Sequence, residues 1–309
     1  MWSVCVDRAC WVLEAATQQT CTDMKIIEIA KLPHALLINV NAMRSSLKKP
    51  GVVEALPPVM FVRPKVVVSG SKVAKYAKVC GFNKAQGVPM LFPHLEAFPL
   101  AMMLFGSKYF PWPAMGLVHL ANRARQYKRI HVGDELRIEV QTGELYAHKK
   151  GQVLTLHARA LRQGDLVWDS TWTLLSMAVR QPKGPEYTSA LADEAPLSHQ
   201  ADFMAASGIG RRYASVSGDV NPIHMTDLTA KLMGFRKAIA HGMWTKARAL
   251  SMLMPKDAVD QAEVNVEFKA PLFIPSRTSL WAHRTEHSAL FEVRNSKGEK
   301  AHLRGLVTY

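Results

Sequence analysis

The stretch YASVSGDVNPIHMTDLTAKLMGFRKAIAHGM, from Tyr213 to Met243, carries the sharpest local pattern in this chain of 309 residues. Its Ser-Gly pair predicts a turn. After the turn, Asp219 and Asn221 suit helix capping, and Pro222 suits the first position of a helix. An apolar stripe at helical spacing follows at Met225, Leu228 and Leu232.

Asp219 and His224 lie five positions apart at the mouth of this short helix. A carboxylate and an imidazole brought into one small volume can hold a water molecule and move its protons. Taken singly, Asp219 is explained as a helix cap and His224 as a half-buried histidine with a satisfied hydrogen bond. The pair is harder to explain by folding alone, because a cap needs no histidine five residues later.

A second helix is predicted to begin near Gly242, directly after His241. Free backbone N–H groups and the helix dipole stabilise negative charge at such a terminus, so this position suits an oxyanion. For Gly242 alone, a simple turn glycine is the alternative. The residues that share one stripe of this helix are Met243, Ala247, Leu250 and Met254.

Outward from this stretch, the chain shows two halves with one order of predicted elements: a strand, a central helix and a run of antiparallel strands. The first central helix is predicted over His94 to Phe105, with Pro99 starting a new turn or kinking it. Hairpin loops are predicted at 162–165 and 295–299. We therefore expect an α+β protein with an N-terminal extension (1–56), a first lobe (57–180), a Pro-, Gly- and acid-containing linker (181–206) and a second lobe (207–309).

The composition is that of a globular protein with a sizeable core, since 48% of residues are hydrophobic and 21% are charged. The net charge is +14, and it is concentrated in the two lobes. Such a balance predicts an anionic partner: nucleic acid, a membrane surface, an acidic carrier protein or a phosphate-bearing ligand. The sequence has no glycine-rich phosphate loop, RNA-binding sheet signature or zinc spacing, which argues against nucleic acid.

The N-terminus does not read as a signal peptide, because Asp7 and Glu14 interrupt its apolar stretch. No run approaches the roughly 18 apolar residues of a membrane span. Met24 is an alternative start to Met1. Free thiols in a reducing cytoplasm are the simplest interpretation of the four cysteines, Cys5, Cys10, Cys21 and Cys80.

The motif SGDVNPIH followed by AIAHGM resembles the signature of MaoC-like dehydratases, the (R)-specific enoyl-CoA hydratase or hydratase-2 group. The two-lobe layout is similar to double hot-dog 3-hydroxyacyl-thioester dehydratases of bacteria, over roughly residues 57–309. The positions in register with the family are Tyr213, Ser217, Gly218, Asp219, Asn221, Pro222, Ile223, His224, Ala230, Gly234, Phe235, His241 and Gly242.

This resemblance implies a double hot-dog fold, in which a long helix in each lobe is wrapped by antiparallel sheet. It implies reversible syn hydration of trans-2-enoyl thioesters to (3R)-hydroxyacyl thioesters in fatty-acid metabolism, with no metal and no cofactor beyond the thioester carrier. Asp219 and His224 resemble the pair that holds the water, and Asn221 a polar positioning group beside them. The N–H of Gly242 resembles the oxyanion donor to the thioester carbonyl.

The first lobe lacks the motif, because its equivalent stretch YAKVCGFNKAQGVPMLFPHLEAF keeps His94 without an acid at the right spacing. We interpret this lobe as catalytically inactive and as making room for the acyl chain. The apolar residues that could line that room, or could equally be core, are Met90, Leu91, Phe92, Phe98 and Met102.

The expected partner is an acyl-CoA or an acyl carrier protein, and a homodimer is possible. Four basic residues flank the signature and are our candidates for phosphate contacts: Arg211, Arg212, Arg236 and Lys237. Ser217 and His241 are further candidates for substrate or CoA binding. The alternatives are a hot-dog acyl thioesterase and a non-catalytic acyl-thioester-binding protein; the intact Asp219 and His224 argue against the second.

Overall fold

The computed structural model describes residues 24–49, 51–191 and 194–309. Elements of the N-terminal segment and first half are β1 (Lys25–Glu28), α1 (Ala35–Arg44), β2 (Val59–Val67), α2 (Gly70–Cys80), α3 (Phe92–Gly106), β3 (Leu117–Gln126), β4 (Glu135–His148), β5 (Gly151–Arg162) and β6 (Asp165–Ser176). Those of the second half are β7 (Ser198–Ala205), α4 (Ile209–Ser217), α5 (Asp227–Leu232), α6 (Gly242–Leu253), β8 (Ala262–Phe268), β9 (Ser276–Arg284), β10 (Ser288–Asn295) and β11 (Ala301–Thr308).

These strands form one continuous sheet in the order β1-β2-β4-β5-β6-β3-β8-β11-β10-β9-β7. Apart from β1, which belongs to the N-terminal segment, each half consists of five strands (β2–β6 and β7–β11) with the same order from the outer edge inward: first strand, third, fourth, fifth and second. Within each half all pairs are antiparallel, and the two halves meet where β3 pairs antiparallel with β8. The predicted two-lobe α+β architecture is confirmed, and both predicted hairpin loops are present.

The central helices α3 and α6 are apolar around most of their circumference, because the curved sheet covers more than one face of each. In α3 Pro99 lies inside a single helix that runs from Phe92 to Gly106, so it does not start a separate helix. In α6 small residues such as Ala247 and Ala249 are fully buried, which allows close approach of the sheet. Burial of each large apolar side chain in these helices contributes about 1.5–3 kcal/mol.

Charged, aromatic and hydrogen-bonding contacts join the two lobes. The guanidinium of Arg123 on β3 donates to both carboxylate oxygens of Glu263 on β8, at 2.6 and 3.2 Å. The rings of Tyr76 and Tyr213, from α2 and α4, lie 6.4 Å apart between centroids. The indole N–H of Trp244 on α6 donates to the carbonyl of Val79 on α2, at 3.1 Å. The lobes therefore share one interior.

The N-terminal extension predicted over 1–56 is in part an integral piece of the first lobe. Strand β1 pairs in parallel with β2, and α1 packs against α3. The ammonium of Lys48 donates to the carbonyls of Phe105, Ser107 and Phe110, at 3.1, 2.7 and 2.7 Å, and so satisfies backbone acceptors at and beyond the end of α3. The alternative start at Met24 and the fate of Cys5, Cys10 and Cys21 concern residues 1–23, which lie outside the described residues.

The linker predicted over 181–206 is too long at its C-terminal end. Residues 198–205 form β7, which pairs with β9 as the edge strand of the second lobe. The mixed polar pattern SHQADFMA hid this strand, since only Phe203 and Ala205 of it are buried. The remaining linker runs beside β4, where the N–H of Ala147 donates to the carbonyl of Pro185 and the N–H of Tyr187 donates to the carbonyl of Ala147, both at 2.8 Å.

Candidate active site

The loop that carries the predicted site begins where α4 ends. Gly218 has a φ of +77°, a left-handed conformation that favours glycine, and its N–H donates to the carbonyl of Ala214 at 2.8 Å. Asn221 then caps a one-turn 3-10 helix at 222–224, where its side-chain oxygen accepts from the N–H of Ile223 at 3.3 Å. Asp219 does not cap a helix as predicted. Its carboxylate instead accepts from the N–H of Asn221 at 3.2 Å, in a local turn.

The short helix predicted after Pro222 is two pieces: the 3-10 turn and α5, which Thr226 caps. The apolar stripe predicted on it does not face the core, since Leu228 and Leu232 are 70% and 78% exposed. A capping box at Thr226 and Thr229, rather than apolar packing, defines the start of α5. This segment therefore positions the site through hydrogen bonds.

His224 is held by the strand-like segment that precedes α6. Its Nδ1 lies 2.9 Å from the carbonyl oxygen of Ile239, which only accepts, so Nδ1 carries the proton and Nε2 is left as a proton acceptor. Burial lowers the pKa of His224, against the opposing effects of Asp219 and the Ile239 carbonyl. The ring is therefore neutral near pH 7 and can act as a base.

His241 lies against His224, with ring centroids 3.7 Å apart and an interplanar angle of 28°. Its Nε2 is 3.0 Å from the backbone oxygen of Asp219 and 3.7 Å from the Asp219 carboxylate. Burial lowers the pKa of His241 to about 3, and the neighbouring His224 acts in the same direction. A neutral His241 thus braces both members of the predicted pair without adding a charge between them.

The structure brings Asp219, His224 and His241 together, with one carboxylate oxygen and one ring nitrogen from each histidine all within 4.8 Å of one another. Two neutral imidazoles and a carboxylate at this spacing could hold either a water molecule or a cation. Both histidines already spend one ring nitrogen on a backbone carbonyl, which fixes their orientation. The cluster is therefore preorganised for proton transfer.

Gly242 is the first residue of α6, as predicted, so its N–H has no partner within the helix. A Cβ at this position would lie 2.7 Å from Cε1 of Phe268, which explains why glycine is needed here. The preceding His241 touches Asp219, and the following Met243 lines a cavity. The N-terminus of α6 therefore lies beside the Asp219 cluster.

The cavity runs from this cluster into the first lobe. On the second-lobe side it is lined by Ser217, Asp219 and Asn221, and Ser217 also accepts from the N–H of Asp219 at 3.2 Å. Phe98 and Met102 line it from α3, as predicted. The other three residues suggested for that lining, Met90, Leu91 and Phe92, do not line it and are buried in the core.

The four predicted phosphate contacts are exposed side chains outside the cavity wall. Arg211 donates to the carbonyl of Met225 at 3.0 Å, and Arg236 lies over the ring of Phe273 at 4.2 Å. Their role in carrier binding stays a prediction, as does that of Arg212 and Lys237.

Sequence reasoning missed a polar part of the cavity wall. His119 on β3 and Trp172 on β6 line it together with His94. Nothing in the alternation of those strands marks these two as cavity residues rather than core. Their common feature is that α3, β3 and β6, which carry His94, His119 and Trp172, converge on this cavity, and that convergence is visible only in the fold.

With this geometry in view, the chain can be compared with known proteins. Residues 193–304 match the family model of the MaoC like domain. A 3-hydroxyacyl-thioester dehydratase X of Mycobacterium tuberculosis is 30% identical over 241 residues, which cover 78% of this chain and 85% of that protein. The chain belongs to the family of MaoC-like 3-hydroxyacyl-thioester dehydratases.

Solved structures agree on the fold. A crystal structure of HtdX of M. tuberculosis superimposes with a TM-score of 0.67 at 28% identity, covering 80% of this chain and 98% of that one. A conserved M. tuberculosis protein described as a double hotdog fold gives a TM-score of 0.50 at 11% identity, covering 79% and 92%. The double hot-dog fold is thereby established for this member of the family. Within the described residues, no helix combines the length and apolarity needed to cross a bilayer.

Proposed function

We propose that the chain catalyses reversible syn hydration of trans-2-enoyl thioesters to (3R)-hydroxyacyl thioesters, with Asp219 and His224 as the catalytic pair. The observation that carries this proposal is the cluster of Asp219, His224 and His241, whose Asp219 lines a cavity that extends into the first lobe. Membership in a dehydratase family supports it and favours it over the thioesterase and the non-catalytic alternative considered from the sequence.

The chemistry follows from the hydrogen bonds of the cluster. In the hydration direction, a water molecule between the Asp219 carboxylate and Nε2 of His224 donates to both acceptors. Its oxygen attacks C3, one of its protons passes to the pair, and the pair returns a proton to C2 on the same face. Protons and charge balance over the cycle, and no metal is required.

Attack at C3 builds negative charge on the thioester oxygen. The free N–H of Gly242 at the start of α6 is the proposed donor to that oxygen, assisted by the helix dipole. The partly buried Phe268 ring packs beside Gly242 and limits access of water from that side, which strengthens the interaction. Asn221, held at the cap of the 3-10 turn, is proposed to keep the Asp219 loop in position.

The thioester carrier is proposed to be CoA or an acyl carrier protein. Both present phosphate, and an acyl carrier protein is acidic, so either would be attracted by the exposed basic residues that flank the site: Arg211, Arg212, Arg236 and Lys237. We expect the enzyme to act in the cytoplasm, in keeping with the buried free thiol of Cys80.

A spectrophotometric assay tests the reaction, because hydration removes the absorbance of the enoyl thioester without releasing a free thiol. We expect loss of absorbance with no thiol detected by a thiol reagent, and a (3R)-hydroxyacyl product on a chiral column. Thiol release without hydration would instead establish a thioesterase. Binding of acyl-CoA without either reaction would establish a binding protein.

A further inference from the structure

The cavity wall in the first lobe carries three nitrogen atoms that no protein group satisfies among the described residues. They are Nδ1 of His94, Nε2 of His119 and Nε1 of Trp172, and all three are buried. Their side chains come from α3, β3 and β6, and each lines the same cavity as Asp219. Buried polar groups without a partner cost about 1–3 kcal/mol each, so a partner inside the cavity is expected.

The three side chains form one contiguous surface. The rings of His94 and Trp172 lie 4.3 Å apart between centroids, and those of His119 and Trp172 lie 6.4 Å apart. The His119 ring also lies 4.9 Å from the ring of Phe268, the residue that packs on Gly242. The surface therefore starts beside the proposed oxyanion position and continues along the wall of the first lobe.

The hydrogen-bonding character of this surface can be assigned. The indole N–H of Trp172 can only donate. A backbone hydrogen bond with Ala121 engages the other ring nitrogen of His119; a backbone carbonyl only accepts, so that nitrogen carries the proton and Nε2 is left as an acceptor. A ligand group that satisfies both must accept and donate at once, as a hydroxyl does; a carbonyl or an ether only accepts, and an ammonium only donates.

His94, His119 and Trp172 offer no negatively charged group to a cationic ligand. Burial lowers the pKa of His119 to about 3 and that of His94 well below its ordinary value, and the nearby Lys246 acts in the same direction on both. Burial also lowers the pKa of Lys246 well below its ordinary value, and its Nζ donates to the backbone and side-chain oxygens of Asn122 at 2.9 and 2.6 Å. The histidines therefore present neutral rings. The remaining first-lobe lining beside them is mainly apolar, with Phe98, Met102 and Leu174.

We propose that His94, His119 and Trp172 form a hydrogen-bonding subsite that binds a hydroxyl group carried on the acyl chain, beyond the reacting C2–C3 bond. The preferred substrates are then oxygenated enoyl or hydroxyacyl thioesters rather than plain alkyl ones. This inference rests on the proposed function, since it assumes that the acyl chain enters the cavity from the Asp219 cluster.

Kinetics with matched substrates test the subsite. The panel is trans-2-enoyl-CoAs of one chain length, each with a single hydroxyl at a different carbon beyond C4, together with the unsubstituted compound. We expect at least one hydroxylated member to have a kcat/KM about tenfold or more above that of the unsubstituted compound. Turnover of the unsubstituted compound with no preference for any hydroxylated one would overturn the subsite while leaving the proposed function intact.

Two variants locate the preference. His119→Phe and Trp172→Phe each keep an aromatic ring and remove hydrogen-bonding ring nitrogen, and each is expected to abolish most of the preference, measured as the ratio of kcat/KM for the hydroxylated and unsubstituted compounds. Phe98→Leu alters the same cavity without removing a polar atom and should keep the preference. Persistence of the preference in both nitrogen-removing variants would contradict the assignment, and would mean that water alone satisfies these atoms.

A binding measurement covers variants that lose turnover for other reasons. Calorimetry with the Asp219→Asn protein compares the affinities of two saturated 3-hydroxyacyl-CoAs of one chain length. One carries an additional hydroxyl further along the chain and the other has a plain chain, and the substitution prevents the reaction. Tighter binding of the hydroxylated chain, lost on adding Trp172→Phe, supports the subsite. Equal affinity for both chains in this background contradicts it. Absence of hydration by the wild-type protein on every substrate would instead count against the proposed function.

Discussion

The two lobes start their connection to the central helix in the same way and then diverge. Helices α2 and α4 end in the related sequences YAKVCG and YASVSG, and each is closed by a left-handed glycine, Gly81 (φ +87°) or Gly218 (φ +77°). The connection from there to the central helix spans residues 81–91 in the first lobe and 218–241 in the second. The longer connection holds Asp219, Asn221, His224 and His241.

One strand topology therefore supports two different cavity walls. At the start of α6 the second lobe has an acid and two histidines braced by backbone carbonyls. Near the start of α3 the first lobe has His94, with His119 and Trp172 close by and with nitrogens that no described residue satisfies. The strand order is identical, so the difference comes from the inserted loop and from a few side chains. In the proposed function, proton transfer belongs to the second lobe and accommodation of the acyl chain to the first.

The largest expected effect comes from the second-lobe pair. Asp219→Asn and His224→Gln should each reduce kcat by about 10²–10⁴-fold, because each removes a proton acceptor from the water site. Steady-state hydration kinetics check this. Lys84→Ala, in the counterpart connection of the first lobe, should leave kcat unchanged. An equal loss of kcat in Lys84→Ala and Asp219→Asn would contradict the assignment of catalysis to the second-lobe connection.

Gly242→Ala should follow in size. The added Cβ would meet the Phe268 ring at 2.7 Å, and the displaced helix start would no longer present its N–H correctly. We expect a loss in kcat of about 10²-fold, as for removal of one oxyanion donor. Adding Phe268→Leu relieves the clash and should restore part of the activity. An unchanged kcat in Gly242→Ala would contradict the expected displacement and would mean that the Phe268 side chain moves aside while the N–H stays in place.

Buried histidines in both lobes should make the stability of the protein sensitive to acid. His94 and His119 in the first lobe, and His224 and His241 in the second, all have pKa values lowered by burial. Below the unfolded histidine pKa of about 6.5, the unfolded chain therefore binds protons that the folded chain does not. Stability should fall as pH falls below about 6.5, by roughly 1.4 kcal/mol per pH unit for each such histidine.

Urea unfolding between pH 5 and 6 measures this slope, over a range in which about one proton per buried histidine is linked. His119→Phe should flatten the slope by about one proton, since His119 stays neutral down to about pH 3 in the folded protein. Leu174→Ala is the control, because it also changes a side chain that lines the cavity but removes no titratable group, so it should leave the slope unaltered. An identical slope in His119→Phe and the wild type would mean that His119 is protonated in the folded state.

The smallest effect is expected at the exposed basic residues beside the signature. Arg236→Ala and Lys237→Ala should raise KM for an enoyl-CoA by no more than about fivefold, since exposed ionic contacts contribute roughly 0.2–1 kcal/mol. The effect should shrink at high salt, and kcat should stay the same. Lys75→Ala removes an exposed lysine on α2 of the first lobe and should change neither kcat nor KM. A salt-independent rise in KM would point away from phosphate contact.

Much of the fold was predictable from the pattern of the chain. Alternating strands, two helical stripes and two hairpin loops led to two tandem α+β lobes, because periodicity reports which face of an element is buried. The predictions that went wrong have local causes. Strand β7 has a largely polar sequence at a sheet edge, and the stripe of Leu228 and Leu232 lies on a helix too short to bury it.

By itself, the sequence determined the motif that brings Asp219 and His224 together, because a glycine-ended helix and a capped turn place residues five apart in one small volume. Only the tertiary structure decided what those residues face. Hydrogen bonds to the backbone carbonyls of Ile239 and Asp219 set which nitrogen of each histidine is free, and burial keeps both rings neutral. The convergence of His94, His119 and Trp172 on the same cavity arises from pairing of strands distant in sequence, which no local pattern encodes.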